Sequence, residues 1–330
     1  MSKSCLFILP YFGKFKNYFP LFLRSCGMNP EYDWLIVTDQ DIETTPGNVS
    51  VVSENFGDFK AEIQSKFDFP ISLENPYKLC DFKPAYGYVL ESRLAGYDYW
   101  GHCDCDMLFG NMPDLLEPLL AKGYDKLFAA GHLTIYRNDY ENNRRFMARS
   151  GDGLSMHRVA FSRPEIFAFD EVFWGRNVHN LFLEQGASVF SGDLSFNVST
   201  RYWSIRREYF DQADSRWKPS SQPTRLLEWK EGCIQSFEKG YPQGRKWLYA
   251  HLQQRSLDFP NGTLDADAVE IGPDFLRALP AGAEPCAAYR TAVSLESLRR
   301  GYHRVRDRLR GNDPLVKDPY APYINEGGLA

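Results

Sequence analysis

Two short runs at the start of the chain restrict its fold more than any other feature. Ser4-Cys5-Leu6-Phe7-Ile8-Leu9 and Trp34-Leu35-Ile36-Val37-Thr38 are continuously apolar rather than alternating. A strand of that kind is covered on both faces, as strands are in a parallel sheet with helices on each side. A helix expected over about Tyr18 to Cys26 separates them, and Val49-Ser50-Val51-Val52 reads as a third strand. Strand, helix, strand in this order predicts an α/β domain with a mixed, mainly parallel, Rossmann-like sheet.

Further along, Asn75-Pro76 opens a helix expected to run from about Tyr77 to Leu94, kinked or broken at Pro84. Tyr97 to Cys103 reads as a strand that delivers Asp104-Cys105-Asp106 at its carboxyl end, and a strand pair is expected at Lys126–Ala130 and His132–Tyr136. Val189–Ser191 and Tyr202–Arg206 also read as strands, and Trp247–Leu252 as a strand or helix start. After Arg255 the character changes. Seven Pro and Gly residues between 258 and 290 read as an irregular connector. Beyond it Leu295, Leu298, Tyr302, Val305 and Leu309 form a 3,4-spaced apolar stripe among six arginines. The expected division is therefore 1–255 as the α/β domain and 256–330 as connector plus a basic C-terminal helix.

Composition excludes several classes. With 330 residues, 43% hydrophobic and 25% charged, the chain is neither disordered nor fibrous. A net charge of -5 disfavours a dedicated nucleic-acid binder, so no nucleic-acid partner is expected. Seven cysteines without a C-x-x-C pair read as reduced thiols rather than zinc ligands. No run is long enough for a membrane span or a secretory h-region, so a cytoplasmic location is expected. The basic stripe at 294–310 suits either docking on the anionic inner face of the cytoplasmic membrane or packing against protein.

Asp104-Cys105-Asp106 is a D-x-D pattern, as are Asp39-Gln40-Asp41 and Asp265-Ala266-Asp267. Position separates them. Only the first ends a strand that follows a helix, and ligands of open α/β sheets bind at the carboxyl ends of strands. Two carboxylates there can hold one hard divalent cation, which can bridge the phosphates of a nucleotide diphosphate. Solvated or capping carboxylates are the plainer alternative.

Pro10-Tyr11-Phe12-Gly13, Trp34 to Asp39, Pro76-Tyr77-Lys78-Leu79-Cys80-Asp81-Phe82-Lys83-Pro84, Trp100 to Asp106 and Gly131 to Asn138 occur in one order. The set resembles bacterial GT-A glycosyltransferases of O-antigen and capsule assembly, with galactosyltransferase-like features, over about residues 4–255. The resemblance implies a GT-A-like fold with Mn²⁺ (or Mg²⁺) as cofactor. It implies transfer of a hexose, galactose first, from a UDP-sugar to a lipid-linked glycan acceptor, with retention preferred. Residue by residue it implies that Pro10, Tyr11 and Phe12 seat the nucleobase and ribose, with Asp39 beside them. A structural turn and a loop carboxylate are the alternatives. Lys78, Asp81 and Lys83 would contact the donor, although Lys78 and Asp81 also suit an intrahelical pair. His251 would be the third metal ligand, alongside Asp104 and Asp106, and Arg255 would grip the diphosphate. Asp170, Glu171 and Asp193 are the candidate catalytic carboxylates. Two other readings compete. One is a sugar nucleotidyltransferase, disfavoured because the loop after the first strand carries a single glycine, Gly13. The other is a non-enzymatic carbohydrate-binding protein, which would need neither D-x-D nor metal.

Overall fold

The computed structural model describes residues 3–280 and 318–324, apart from 174, 203, 214–215, 239–240 and 254. The helix expected at 294–310 lies outside the described residues. So does most of the segment after 280.

The apolar runs form the centre of a seven-stranded sheet. β1 (Cys5–Pro10) lies between β2 (Asp33–Thr38) and β4 (Tyr99–Cys103), parallel to both, and β3 (Val49–Ser53) extends the parallel side beyond β2. On the other side β7 (Leu133–Arg137) pairs antiparallel with β4 and with β6 (Lys126–Leu127), and β8 (Val189–Phe190) closes the sheet parallel to β6. Alternate residues of the central strands enter two separate cores, because successive side chains of a strand point to opposite faces. Leu6, Ile8, Leu35 and Val37 pack under α2 (Phe56–Gln64), α6 (Met156–Ser162) and α7 (Val178–Glu184). Cys5, Phe7, Leu9, Trp34 and Ile36 pack under α1 (Phe19–Gly27) and α5 (Met112–Leu120). Both faces are covered, as the unbroken apolar runs require.

The expected helix over 77–94 is instead a chain of short turns. It runs through Pro76–Lys78, α3 (Leu79–Phe82), Lys83–Ala85, α4 (Tyr86–Val89) and Glu91–Leu94. Pro84 removes one backbone donor. Gly87 lies so close to Trp100 of β4 that a Cβ there would fall 2.2 Å from the indole Cε2. Tight packing on the sheet, rather than regular helix, fixes the path.

β5 (Met107–Phe109) leaves the main sheet and becomes the edge of a second one, in the order β11 (Arg216–Pro219), β10 (Arg207–Asp211), β9 (Ser195–Val198), β15 (Tyr249–His251), β5. The strand expected at Tyr202–Arg206 is β10, displaced to Arg207–Asp211. A third, antiparallel sheet joins β14 (Tyr241–Trp247), β13 (Cys233–Glu238), β12 (Leu226–Lys230), β16 (Ala268–Ile271) and β17 (Leu276–Ala278). The stretch read from its prolines and glycines as an irregular connector thus supplies two paired strands. Its apolar residues Val269, Ile271 and Leu276 enter a third core with Trp229 and Trp247. Among the described residues, no helix is long and apolar enough to cross a membrane.

Candidate metal centre

The D-x-D residues sit where the chain passes from the first sheet to the second. β4 ends at Cys103, the Asp104 N–H donates to the His132 carbonyl at 3.1 Å, and β5 starts at Met107. β5 pairs antiparallel with β15, with Met107 opposite His251. The Leu252 N–H donates to the Asp106 carbonyl at 2.8 Å. This register carries His251 to the D-x-D turn. One ligand atom each from Asp104, Asp106 and His251 lie within 4.8 Å of one another. His251 Nε2 is 3.4 Å from Asp106 Oδ1 and 3.9 Å from Asp104 Oδ2. Asp106 forms the floor at 2% exposure, and the Asp104 side chain, 27% exposed, forms the mouth.

The donor set fits a divalent cation. His251 Nδ1 is 3.0 Å from Asn197 Oδ1, which also accepts from Gln253 Nε2 at 2.7 Å. An amide oxygen can only accept, so Nδ1 carries a hydrogen held there and Nε2 is the ring atom turned toward the two carboxylates, free to bind either a proton or a cation. Burial depresses proton binding at His251, but Asp106 and Asp104 outweigh it and raise its pKa above the usual imidazole value. A proton on the imidazole thereby offsets part of the charge that a cation would neutralise. His132 stacks on His251 with centroids 4.3 Å apart, and its Nδ1 is 2.8 Å from the Tyr249 hydroxyl. Burial, with the neighbouring His251 second, holds His132 well below the ordinary imidazole range, so it is neutral.

Lys83 joins this cluster to a second carboxylate. Its Nζ is 2.8 Å from Asp104 Oδ1, 3.1 Å from Asp170 Oδ2 and 2.9 Å from the Gly131 carbonyl. Burial works against the ammonium, yet Asp104 and Asp170 push its pKa well above the lysine value, so it stays charged. Asp170 is pushed up to about 6 by burial, with Lys83 opposing, and Glu171 to about 7 by burial and by Asp170. Glu171 accepts from the backbone N–H groups of Gly131 and Val172. Residue 131 must be glycine here, since a Cβ would meet Asp170 Oδ2 at 2.5 Å.

Other candidates are placed elsewhere or committed to the scaffold. Lys78 and Asp81 pair with each other at 2.7 Å, both essentially buried. Lys78 also holds the Glu165 carbonyl, and Asp81 accepts the N–H groups of Phe167 and Phe169 at 3.0 Å. They anchor the loop that leads to Asp170. Arg255 donates to the carbonyls of Leu252 and Pro273. Asp193 accepts from Ser195 and the Phe210 N–H and pairs with Arg207 at 2.8 Å, tying β9 to β10. Phe12 lies in the core against Phe56 and Phe59. Pro10 ends β1 opposite Val37. Exposed Asp39 accepts from the Gly13 N–H at 3.3 Å. Tyr11, half-buried, is the one aromatic of its group near the cluster. It stacks on Phe15 at 4.7 Å, and its hydroxyl is raised by burial and by Cys105 and Asp106.

Sequence reading missed Asn197, Gln253 and His132 as supports of His251. His132 lies in the quoted block at 131–138 but carries no signal of this role, and Asn197 is brought opposite His251 only by the pairing of β15 with β9.

Comparison with known proteins adds little chemistry. No curated protein matches the sequence. A crystal structure of the galactosyltransferase LgtC in complex with donor and acceptor sugar analogs matches 59% of this chain and 75% of that one, at 8% identity and a TM-score of 0.32. Residues 7–279 match a family of unknown function (DUF6625), and the chain belongs to that family.

Proposed function

We propose that the protein is a metal-dependent glycosyltransferase that moves a hexosyl group from a UDP-sugar to a glycan acceptor. The observation that carries this reading is the convergence of Asp104 and Asp106 with His251, which lies 145 positions beyond Asp106, into one cluster at the carboxyl end of β4. Two carboxylates and an imidazole suit Mn²⁺ or Mg²⁺. A cation held there would supply electrophilic stabilisation of the departing diphosphate, with no proton donor required.

The protein's own residues do the rest. Lys83 holds one oxygen of Asp104, leaving Oδ2 turned toward His251. It also keeps Asp170 beside the cluster. Asp170 is the carboxylate best placed to act on the sugar or on the acceptor hydroxyl, since Asp193 is consumed within the β9–β10 corner. Tyr11 offers the half-exposed ring for a nucleobase. UDP-galactose is the donor to try first, and a lipid-linked O-antigen or capsule precursor the acceptor.

Calorimetric titration of UDP with and without Mn²⁺ tests the reading. Binding should require Mn²⁺ and be lost in Asp106→Asn, whose thermal unfolding stays that of the parent. UDP binding that ignores the metal, or an Asp106→Asn variant that binds Mn²⁺ and UDP normally, would overturn it.

A further inference from the structure

Residues 318–324 come back from far along the sequence to the loop that carries Asp170. Asp318 pairs with Arg176, the Tyr320 ring lies 4.8 Å from Phe167, and the Arg163 guanidinium lies 5.2 Å from the Tyr323 ring. Arg163 and Phe167 precede Asp170 and Arg176 follows it, so one short segment grips the loop on both sides of the carboxylate. We infer that this segment is a strap that positions Asp170 beside Lys83 for the proposed transfer, with Asp318 and Tyr320 as its positioning residues. The link to transfer rests on that reading, whereas the strapping of the loop does not.

The loop needs holding. Ala168 has a left-handed backbone, φ 50°, which a residue with a Cβ adopts at a cost and keeps only where its surroundings enforce it. That turn aims the N–H groups of Phe167 and Phe169 at one carboxylate, Asp81, at 3.0 Å each. The Glu171 N–H closes the turn on the Ala168 carbonyl at 3.0 Å. Asp170 sits between these bonds. Relaxation of Ala168 would release the amides and carry Asp170 away from Lys83 Nζ, which is 3.1 Å from its Oδ2. Asp81 enforces the turn through the backbone. The strap enforces it through side chains, since Phe167 cannot leave Asp81 without also leaving Tyr320.

The strap is seated as a core element is. A single helical turn such as Ala321–Tyr323 has no stability of its own. Tyr320 is nevertheless wholly buried, in the same core as Phe167 and Phe169, and a buried aromatic ring is a strong anchor. Its hydroxyl has no hydrogen-bond partner among the described residues, so the ring makes the contact. Burial first, then Asp81, Asp318 and Asp170, raise the hydroxyl well above the usual tyrosine range, and it stays neutral beside these carboxylates. Arg176 is shared, because Asp152 takes the same guanidinium at 2.6 Å. Loss of Asp318 therefore weakens the strap without freeing the arginine.

Hydrogen exchange read by mass spectrometry and slow Mn²⁺-dependent hydrolysis of UDP-galactose, both on the full chain, test the inference. In the hydrolysis water takes the acceptor's place, and UDP and galactose are the products. Tyr320→Ala should speed exchange of the amides at 167–171 by about tenfold or more and leave β1 as in the parent. Its kcat should fall about 10–100-fold while KM for UDP-galactose and the Mn²⁺-dependent affinity for UDP hold. Tyr320→Phe, which keeps the ring, should match the parent in both. Asp318→Ala should show the same pattern at no more than about fivefold, and it carries the test should Tyr320→Ala fail to fold. Parental exchange at 167–171 in the variant so tested overturns the inference. So does exchange raised equally in β1, or a loss of UDP affinity that matches the loss of kcat, since the segment would then serve general stability alone. A loosened loop with parental kcat overturns the positioning of Asp170. If the parent hydrolyses no UDP-sugar, the transfer reading fails by itself and the exchange alone decides the strap.

Discussion

Lys78 and Lys83 lie five residues apart in one broken helical segment, each beside aspartate, and they have opposite uses. Lys78 pairs within its own turn with Asp81, and both side chains are sealed from water. Lys83 reaches out of its segment to Asp104, which follows β4, and to Asp170, 87 residues on, at the edge of an open cluster. The inner pair is satisfied by protein, with loop amides using the remaining carboxylate lone pairs. The outer one leaves a carboxylate oxygen turned toward His251. Charge at a helical spacing is therefore no guide to function by itself. What matters is whether the partners leave capacity for a further ligand.

The largest difference should appear when each side is cut. Asp81→Ala leaves a buried ammonium unpaired and frees the loop at 167–169, and a loss of about 3–5 kcal/mol is expected in urea unfolding. If Asp81→Ala unfolds at the parent's urea midpoint yet loses Mn²⁺-dependent UDP binding, the contrast is reversed. On the open side, His251→Ala should weaken Mn²⁺ binding about 10–100-fold, followed by the electron paramagnetic resonance of free Mn²⁺, while unfolding in chelator changes little. An unchanged Mn²⁺ titration would remove His251 from the cluster's function.

The finest test concerns pH. Glu171 is raised from 4.5 to about 7, so between those values the folded state holds more protons than the unfolded one. Stability therefore falls as pH rises through that window. Glu171→Gln should flatten this decline in a series of thermal melts. A slope equal to the parent's would place the ionisation elsewhere, Asp170 being the next candidate.

Much of the parallel half was legible because its signals are local. The apolar runs at 5–9 and 34–38 determine two-faced burial, and the strand that ends at Cys103 is legible from its own aromatic run. Asp104 and Asp106 stand out by their place after a strand, whereas His251 enters only through the resemblance to glycosyltransferases, with no local signal of its own. The second and third sheets were not legible in the same way. β16 and β17 lie in a stretch whose prolines and glycines punctuate it, and only long-range pairing with β12 makes strands of it. Local spacing also could not say that Arg255 would turn to backbone carbonyls, or that Phe12 would face the core rather than a ligand. The supports of His251 depend on one strand register, which no motif encodes.

That register has a kinetic consequence. β1, β2 and β4 can assemble from the first hundred or so residues, whereas β15 must find its place between β5 and β9 after a loop of some 140 residues has closed. Closure over such separations is slow compared with local steps. A slip of β15 by one position would turn Ala250 toward the aspartates and His251 away. Cation binding during refolding would accordingly mark the moment when the last strand has seated in its native alignment, later than the signal from the buried tryptophans of β2 and β4.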